Sequence, residues 1–186
     1  MRYACCRLEG RSGHEAGWAL LRQLYLEETG LALPPVRLSK TGKPYFPNSP
    51  YFFSISHTRR HAACALGKHP VGIDLEELDR PLRLKIAGRI LSPGEYAQFT
   101  RAADQRRAFL TFWVLKEALV KHSGKGLTLP ISAIRPPLTR GDGTLLEGDG
   151  LFFRLYRGEG WRGAVCGCVP PPENLLPQPL PAQKNL

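Results

Sequence analysis

The chain has 186 residues, 42% hydrophobic and 23% charged, the balance of an ordinary soluble globular protein with one sizeable domain or two small halves around a shared core. No uninterrupted apolar run approaches the roughly 20 residues of a membrane-spanning helix, and the opening "MRYACCRLEGRSGHE" lacks the apolar core of a secretory signal, so a cytoplasmic protein is expected. Twenty-six Lys and Arg against sixteen Asp and Glu give a formal charge of +10, which favours a nucleic acid, a phosphorylated cofactor or an acidic protein as partner; five cysteines with no C-x-x-C pair argue against a disulfide framework or a structural zinc site.

Residues 14–28 repeat apolar side chains at helical spacing through Ala16, Leu20 and Leu24, with Leu21 and Tyr25 beside them, and predict a first helix. A loop rich in Pro, Gly and Lys follows. Three short apolar runs come next, at 51–56, 62–66 and 71–75, and the short breaks between them predict a three-stranded antiparallel meander. From Pro81 the period becomes helical, with a new start at "SPGE", where Ser92 can cap, Pro93 can begin and Glu95 can complete the first turn. A longer helix is predicted from about Asp104 to His122, ended by Gly124 and Gly126. Strands are expected near Ile131 to Arg135, at 151–156 and at 163–169, where Cys166 and Cys168 would share one face as small apolar residues.

The order, helix then three strands followed by helices then three strands, predicts an α+β fold of two similar halves. We divide it into an N-terminal half at 1–72, a C-terminal half at 73–169 and a proline-rich tail at 170–186, extended or disordered.

Four segments carry candidate chemistry. On a strand, "VGIDLEE" turns Asp74 and Glu76 to one face and Ile73 and Leu75 to the other. Two neighbouring carboxylates suit either a solvent-facing strand or a hard-cation site, to which Glu117 could add a third acid. In "FWVLKEALVKHSGKGL", Glu117 and Lys121 share a helical face, which fits a surface ion pair or a shared ligand. Ser56 and His57 in "SISHTRRH" end a strand near Arg59 and Arg60, and fit a polar hairpin or a phosphate contact. The basic loop "SKTGKP" holds Gly42, which permits close approach to an anion. No Walker A, G-x-G-x-x-G or G-x-S-x-G pattern is present.

Taken together, "GKPYF", "SISH", "VGIDLE" and W-x-x-K-E-x-x-x-K followed by G-K-G-L, in this order between residues 42 and 127, resemble the Sfp-type 4′-phosphopantetheinyl transferase family. The resemblance implies two halves related by a pseudo-twofold axis, with coenzyme A in the cleft between them. It implies a Mg²⁺-dependent reaction in which the conserved serine of an apo carrier protein, acyl or peptidyl, attacks the β-phosphate of coenzyme A; the 4′-phosphopantetheine arm is transferred and 3′,5′-adenosine bisphosphate leaves. By the same resemblance, Asp74, Glu76 and Glu117 would hold Mg²⁺. Glu117 would help deprotonate the serine and Lys121 would neutralise the pyrophosphate, with Trp113 packed nearby. Lys40, Lys43, Ser56 and His57 would contact the phosphates and adenosine of coenzyme A, as would Asp74 and Lys121 at the pyrophosphate. The family often reads Ser-His-Ser where this chain has Ser56, His57 and Thr58. Acidic carriers suit the positive charge, and two halves in one chain make a monomer the expected state.

A competing reading is a basic nucleic-acid-binding protein without catalysis, licensed by the charge and by "RQLYLEE", "HTRR" and "DQRRAF". It lacks a recognition-helix motif and leaves Asp74, Glu76 and Glu117 unexplained.

Overall fold

The computed structural model describes residues 1–179 apart from 83, 127, 129, 139–140 and 176–177. In chain order the elements are β1 (Arg2–Arg7), α1 (Gly13–Thr29), β2 (Arg37–Leu38), β3 (Pro44–Tyr45), β4 (Phe52–His57), β5 (His61–Gly67) and β6 (Val71–Glu77). A 3-10 turn at Leu84–Ile86 leads into α2 (Ala87–Ile90), α3 (Pro93–Arg101) and α4 (Gln105–Ser123). After a second 3-10 turn at Ile131–Ala133 come β7 (Leu145–Gly148), β8 (Leu151–Gly158) and β9 (Trp161–Gly167).

The helix ends follow local chemistry. Ser12 opens α1 in a reciprocal cap, its hydroxyl accepting from the Glu15 amide at 3.1 Å while the Glu15 carboxylate accepts from the Ser12 amide at 3.2 Å. Glu95 accepts from the Ser92 amide at 2.6 Å at the start of α3, and the Asp104 carboxylate accepts from the Arg107 amide at 2.9 Å at the start of α4. Both long helices stop at a left-handed glycine, Gly30 at φ 71° and Gly124 at φ 67°, a conformation that lacks a steric penalty only without a Cβ.

Strand, helix and hairpin occur twice with the same pairing. The first sheet has the order β1-β5-β4 and the second β6-β9-β8-β7, all antiparallel, so in each half the first strand joins the last. The predicted meander does not form: β5 already has β1 on one edge and β4 on the other, so Val71–Glu77 pairs instead with β9, from Val71 opposite Gly167 to Glu77 opposite Trp161. The division expected between residues 72 and 73 falls inside this strand. Sequence periodicity missed β1 because Ala4, Cys5 and Cys6 are all buried, one face against a helix and the other against a sheet, which removes the polar alternation. The strand expected near Ile131 to Arg135 is a turn, flanked by Pro130, Pro136 and Pro137; β7 supplies the edge strand.

Four layers result: α1, first sheet, second sheet, α4. Ala4, Cys6, Cys64 and Leu66 face α1, whose Leu20, Leu21 and Leu24 complete that core. Cys5, Ala63 and Ala65 turn the other way and meet Val71, Ile73, Leu75 and Val165 of the second sheet. Small residues on the first sheet let the two sheets close. On the far side Leu155, Ala164 and Cys166 pack under Val114, Leu115 and Ala118 of α4. Cys168 does not share that buried face; it lies beyond β9, exposed, with its sulfur 3.6 Å from Nε2 of His122.

The described part of the tail is seated on the body. Leu175 is buried in the inter-sheet core, the Tyr156 hydroxyl donates to the Pro172 carbonyl at 2.6 Å, and the Gln178 amide donates to the Cys5 carbonyl at 2.7 Å. Residues 180–186 of the predicted extended or disordered tail lie outside the described residues.

Candidate active site

The site begins with a missing side chain. On β6, alternate residues Gly72, Asp74 and Glu76 face α4, and a Cβ at Gly72 would collide with the Ala118 carbonyl oxygen and the His122 amide nitrogen. Glycine therefore lets the helix backbone settle on the strand. That contact brings Lys121, one turn after Glu117 on the same helical face, onto the acids of β6.

Asp74 is 5% exposed. Its Oδ1 accepts from the Lys121 ammonium at 2.7 Å and from the Ser56 hydroxyl at 2.9 Å, while its Oδ2 is buried without a hydrogen-bond partner among the described residues. Glu76, half-buried, accepts from Arg80, whose guanidinium lies 5.8 Å from the centre of the Trp113 ring. Trp113 stacks on Phe109 and so packs against this side of the site. Burial pushes the Glu117 carboxyl above the usual range and the Asp74 carboxylate pushes it further, against the pull of Lys121. Burial likewise raises Glu76, opposed by Arg80 and reinforced by Asp74. Glu76 and Glu117 thus both feel the charge of Asp74.

The remaining expected residues are spread along the same side. Loop 39–43 closes the C-terminal end of α4: the Thr41 hydroxyl donates to the Gly124 carbonyl at 2.6 Å, and the Lys43 ammonium donates to the Lys121 and His122 carbonyls. Burial lowers the Lys43 pKa. Lys40 on the same loop is exposed. His57 is exposed at the end of β4, with its ring against Gly13 at the start of α1. Ser56 belongs to the buried centre. Between loop 39–43, Phe53 and Ile55 of β4, and Val120 and Lys121 of α4 runs a cleft of about 250 Å³ that joins the two halves.

Among the described residues, no group of three or more His, Cys, Asp or Glu side chains is gathered closely enough to hold a metal ion. The donor chemistry still suits a hard divalent cation, because all three acids offer oxygen and the unpartnered Asp74 Oδ2 is a buried acceptor in want of a positive partner.

The model of the 4′-phosphopantetheinyl transferase superfamily matches residues 70–167, the segment that holds β6, α4 and β9. The chain belongs to this superfamily. A 4′-phosphopantetheinyl transferase of Bacillus subtilis is 37% identical over 137 residues, which cover 69% of this chain and 61% of that protein. The 4′-phosphopantetheinyl transferase Sfp of Bacillus subtilis strain 168 is 31% identical over 164 residues, covering 83% of this chain and 73% of its own length. The holo-acyl-carrier-protein synthase of Neisseria meningitidis superposes with a TM-score of 0.43 and 22% identity over 53% of this chain and 95% of its own.

Membership of this superfamily leaves the nucleic-acid reading without support, and three of the arginines that suggested it are held in ion pairs. Arg59 and Arg60 pair with Asp79 at 3.1 and 2.9 Å, and Arg107 pairs with Asp142 at 2.6 Å. Among the described residues no helix is long and apolar enough to cross a membrane.

Sequence reading missed three contributors. Arg80 stands four residues after Glu76, a spacing that could have been read as a pair. Gly72 carries no signal beyond its type. Lys116, in the midst of the W-x-x-K-E motif, is fully buried and holds Glu95 at 2.9 Å and the Ile134 carbonyl, so it joins α4 to the start of α3.

Proposed function

We propose that this chain transfers the 4′-phosphopantetheine arm of coenzyme A to a serine of an apo acyl or peptidyl carrier protein, leaving 3′,5′-adenosine bisphosphate. The observation that carries the reading is the junction of β6 with α4. There Lys121, which lines the inter-half cleft, lies on Asp74 at 2.7 Å, and Asp74 acts on the charge of Glu76 and Glu117.

Asp74, Glu76 and Glu117 would hold Mg²⁺, which when bound neutralises charge on the pyrophosphate oxygens. Glu117 accepts the proton of the attacking serine hydroxyl, directly or through water. The serine oxygen bonds to the β-phosphorus as the bond from that phosphorus to the bridging oxygen breaks. The electron pair departs on the adenosine bisphosphate. Lys121, a compact charge at the same wall, stabilises the oxygen that leaves. Lys43, which lines the cleft, and Lys40 and His57 would bind the phosphates and adenosine part. The formal charge of +10 draws an acidic carrier to the site, mainly by raising the association rate. Both walls of the cleft come from one chain, and we propose a monomer as the working unit.

The test is incubation with coenzyme A, Mg²⁺ and a panel of apo carrier proteins, read by intact mass. Addition of one phosphopantetheine arm, abolished by a chelator, is expected. If no carrier gains mass and coenzyme A does not bind, the proposal fails.

A further inference from the structure

Two serines of β4 close the gap between the sheets in the same way, and one of them also reaches the acids. β6 is the edge strand of its sheet, so its outward amides need partners from elsewhere. Ser54 and Ser56, alternate residues of β4, supply them: the Ser54 hydroxyl accepts from the Ile73 amide and the Ser56 hydroxyl from the Leu75 amide, each at 3.1 Å. Their donor sides differ. The Ser56 proton goes to Asp74 Oδ1 at 2.9 Å.

This bond decides which way the carboxylate faces. Oδ1 takes two donors, Ser56 and Lys121, and Oδ2 takes none among the described residues. The two oxygens are chemically equivalent, so the bonds fix the plane of the group: turning the carboxylate out of that plane would break both at a side chain 5% exposed, where water cannot replace them. The two donors are unequal in the reaction proposed above, because Lys121 must turn toward the leaving group. Ser56 is fixed between two strands and stays. Its hydroxyl has its one proton on Asp74 and one lone pair on the Leu75 amide, so no proton remains for a phosphate oxygen.

From this geometry we propose that Ser56 is a positioning residue. It orients Asp74 so that Oδ2 is presented to the divalent cation, and it does not serve as a phosphate donor. The inference rests on the transferase reading of this site.

The test measures binding rather than turnover. Mn²⁺ affinity is read by electron paramagnetic resonance in the presence of coenzyme A, and coenzyme A affinity by calorimetry in metal-free buffer. Removal of an outer partner of a metal ligand weakens metal binding by about 10- to 100-fold, and that loss is expected for Ser56→Ala, with metal-free coenzyme A affinity unchanged. Ser54→Ala gives up the equivalent bond to β6 and keeps Mn²⁺ affinity, which separates positioning from loss of fold. Ser56→Thr keeps the hydroxyl and is expected to restore affinity. Should Ser56→Ala fail to fold, Ser56→Cys, a weak donor of similar size, makes the same comparison. Wild-type Mn²⁺ affinity in the variant lacking the hydroxyl, equal loss in Ser54→Ala, or weaker metal-free coenzyme A binding would each overturn the proposal. If the wild-type protein binds neither Mn²⁺ nor coenzyme A, the transferase reading falls with it; if it binds both and Ser56→Ala does too, only the role of Ser56 is lost.

Discussion

β1 and β6 hold the same place in their sheets and turn different chemistry toward their helices. Ala4 pairs opposite Cys64 and Cys6 opposite Ala62, while Asp74 pairs opposite Ala164 and Glu76 opposite Arg162. Counted from the first residues of β5 and β9, His61 and Trp161, Ala4 and Cys6 thus occupy the positions of Asp74 and Glu76. Under α1 these positions join an apolar core; under α4 they carry carboxylates. One framework therefore serves two ends. Carboxylates withdrawn from water need compensating partners, and the second half provides them where the first needs none: Ser56 and Lys121 for Asp74, Arg80 for Glu76.

The largest effect is expected at Glu117→Gln, which keeps the shape of the side chain and removes its proton-accepting charge; transfer to a carrier should fall by about 10²- to 10³-fold or more, with little change in thermal unfolding. An equal loss of fold and activity would assign Glu117 to packing. Next is Lys116→Ala. The buried residues of α1 are uncharged, whereas α4 buries Lys116 against Glu95, so removal of one partner should destabilise by about 3–5 kcal/mol in urea titrations. A loss confined to a few tenths would place that pair in water.

Gly72→Ala sharpens the comparison from the strand side. A methyl group there must push α4 away, and a loss of about 1–3 kcal/mol is expected, together with weaker coenzyme A binding because Lys121 moves from Asp74. Unchanged stability would mean that α4 can shift without cost.

The smallest effect concerns Asp142, which anchors α4 to β9 through Arg107 and Arg162. Burial raises its carboxyl, but the two guanidinium groups more than offset this and leave its pKa below the usual value. A depressed folded pKa stabilises above the unfolded value of about 3.9 and is lost as the pH falls through the folded value. Asp142→Asn should therefore cost about 1 kcal/mol at pH 7, and the gap from wild type should close only in acid below that value. A gap independent of pH would contradict the ion-pair account.

How much of this was legible in the sequence depended on whether the signal was local. Helix ends were, because Ser92, Asp104 and Gly124 act through neighbours within four residues. The union of Asp74 with Glu117 and Lys121 was reached through motif resemblance, since nothing in their spacing states that β6 lies under α4. What failed was long-range pairing. The turn between β5 and β6 looks like the turn between β4 and β5, and only the occupied edges of β5 send Val71–Glu77 to another sheet. Ser56 was read as a ligand contact at a strand end, a place where side chains often face solvent, yet strand alternation turns it inward to β6. Burial of Lys116 had no signal at all, because its partner Glu95 lies on a separate helix.

In the proposed reaction the carboxylate-lysine junction of β6 with α4 performs the transfer. This role is tested most directly by Asp74→Asn, with the intact mass of an apo carrier followed after addition of coenzyme A and Mg²⁺. The account predicts a folded protein that leaves the carrier in its apo form while the wild type adds one phosphopantetheine arm. A carrier modified by the variant at the wild-type rate would contradict it.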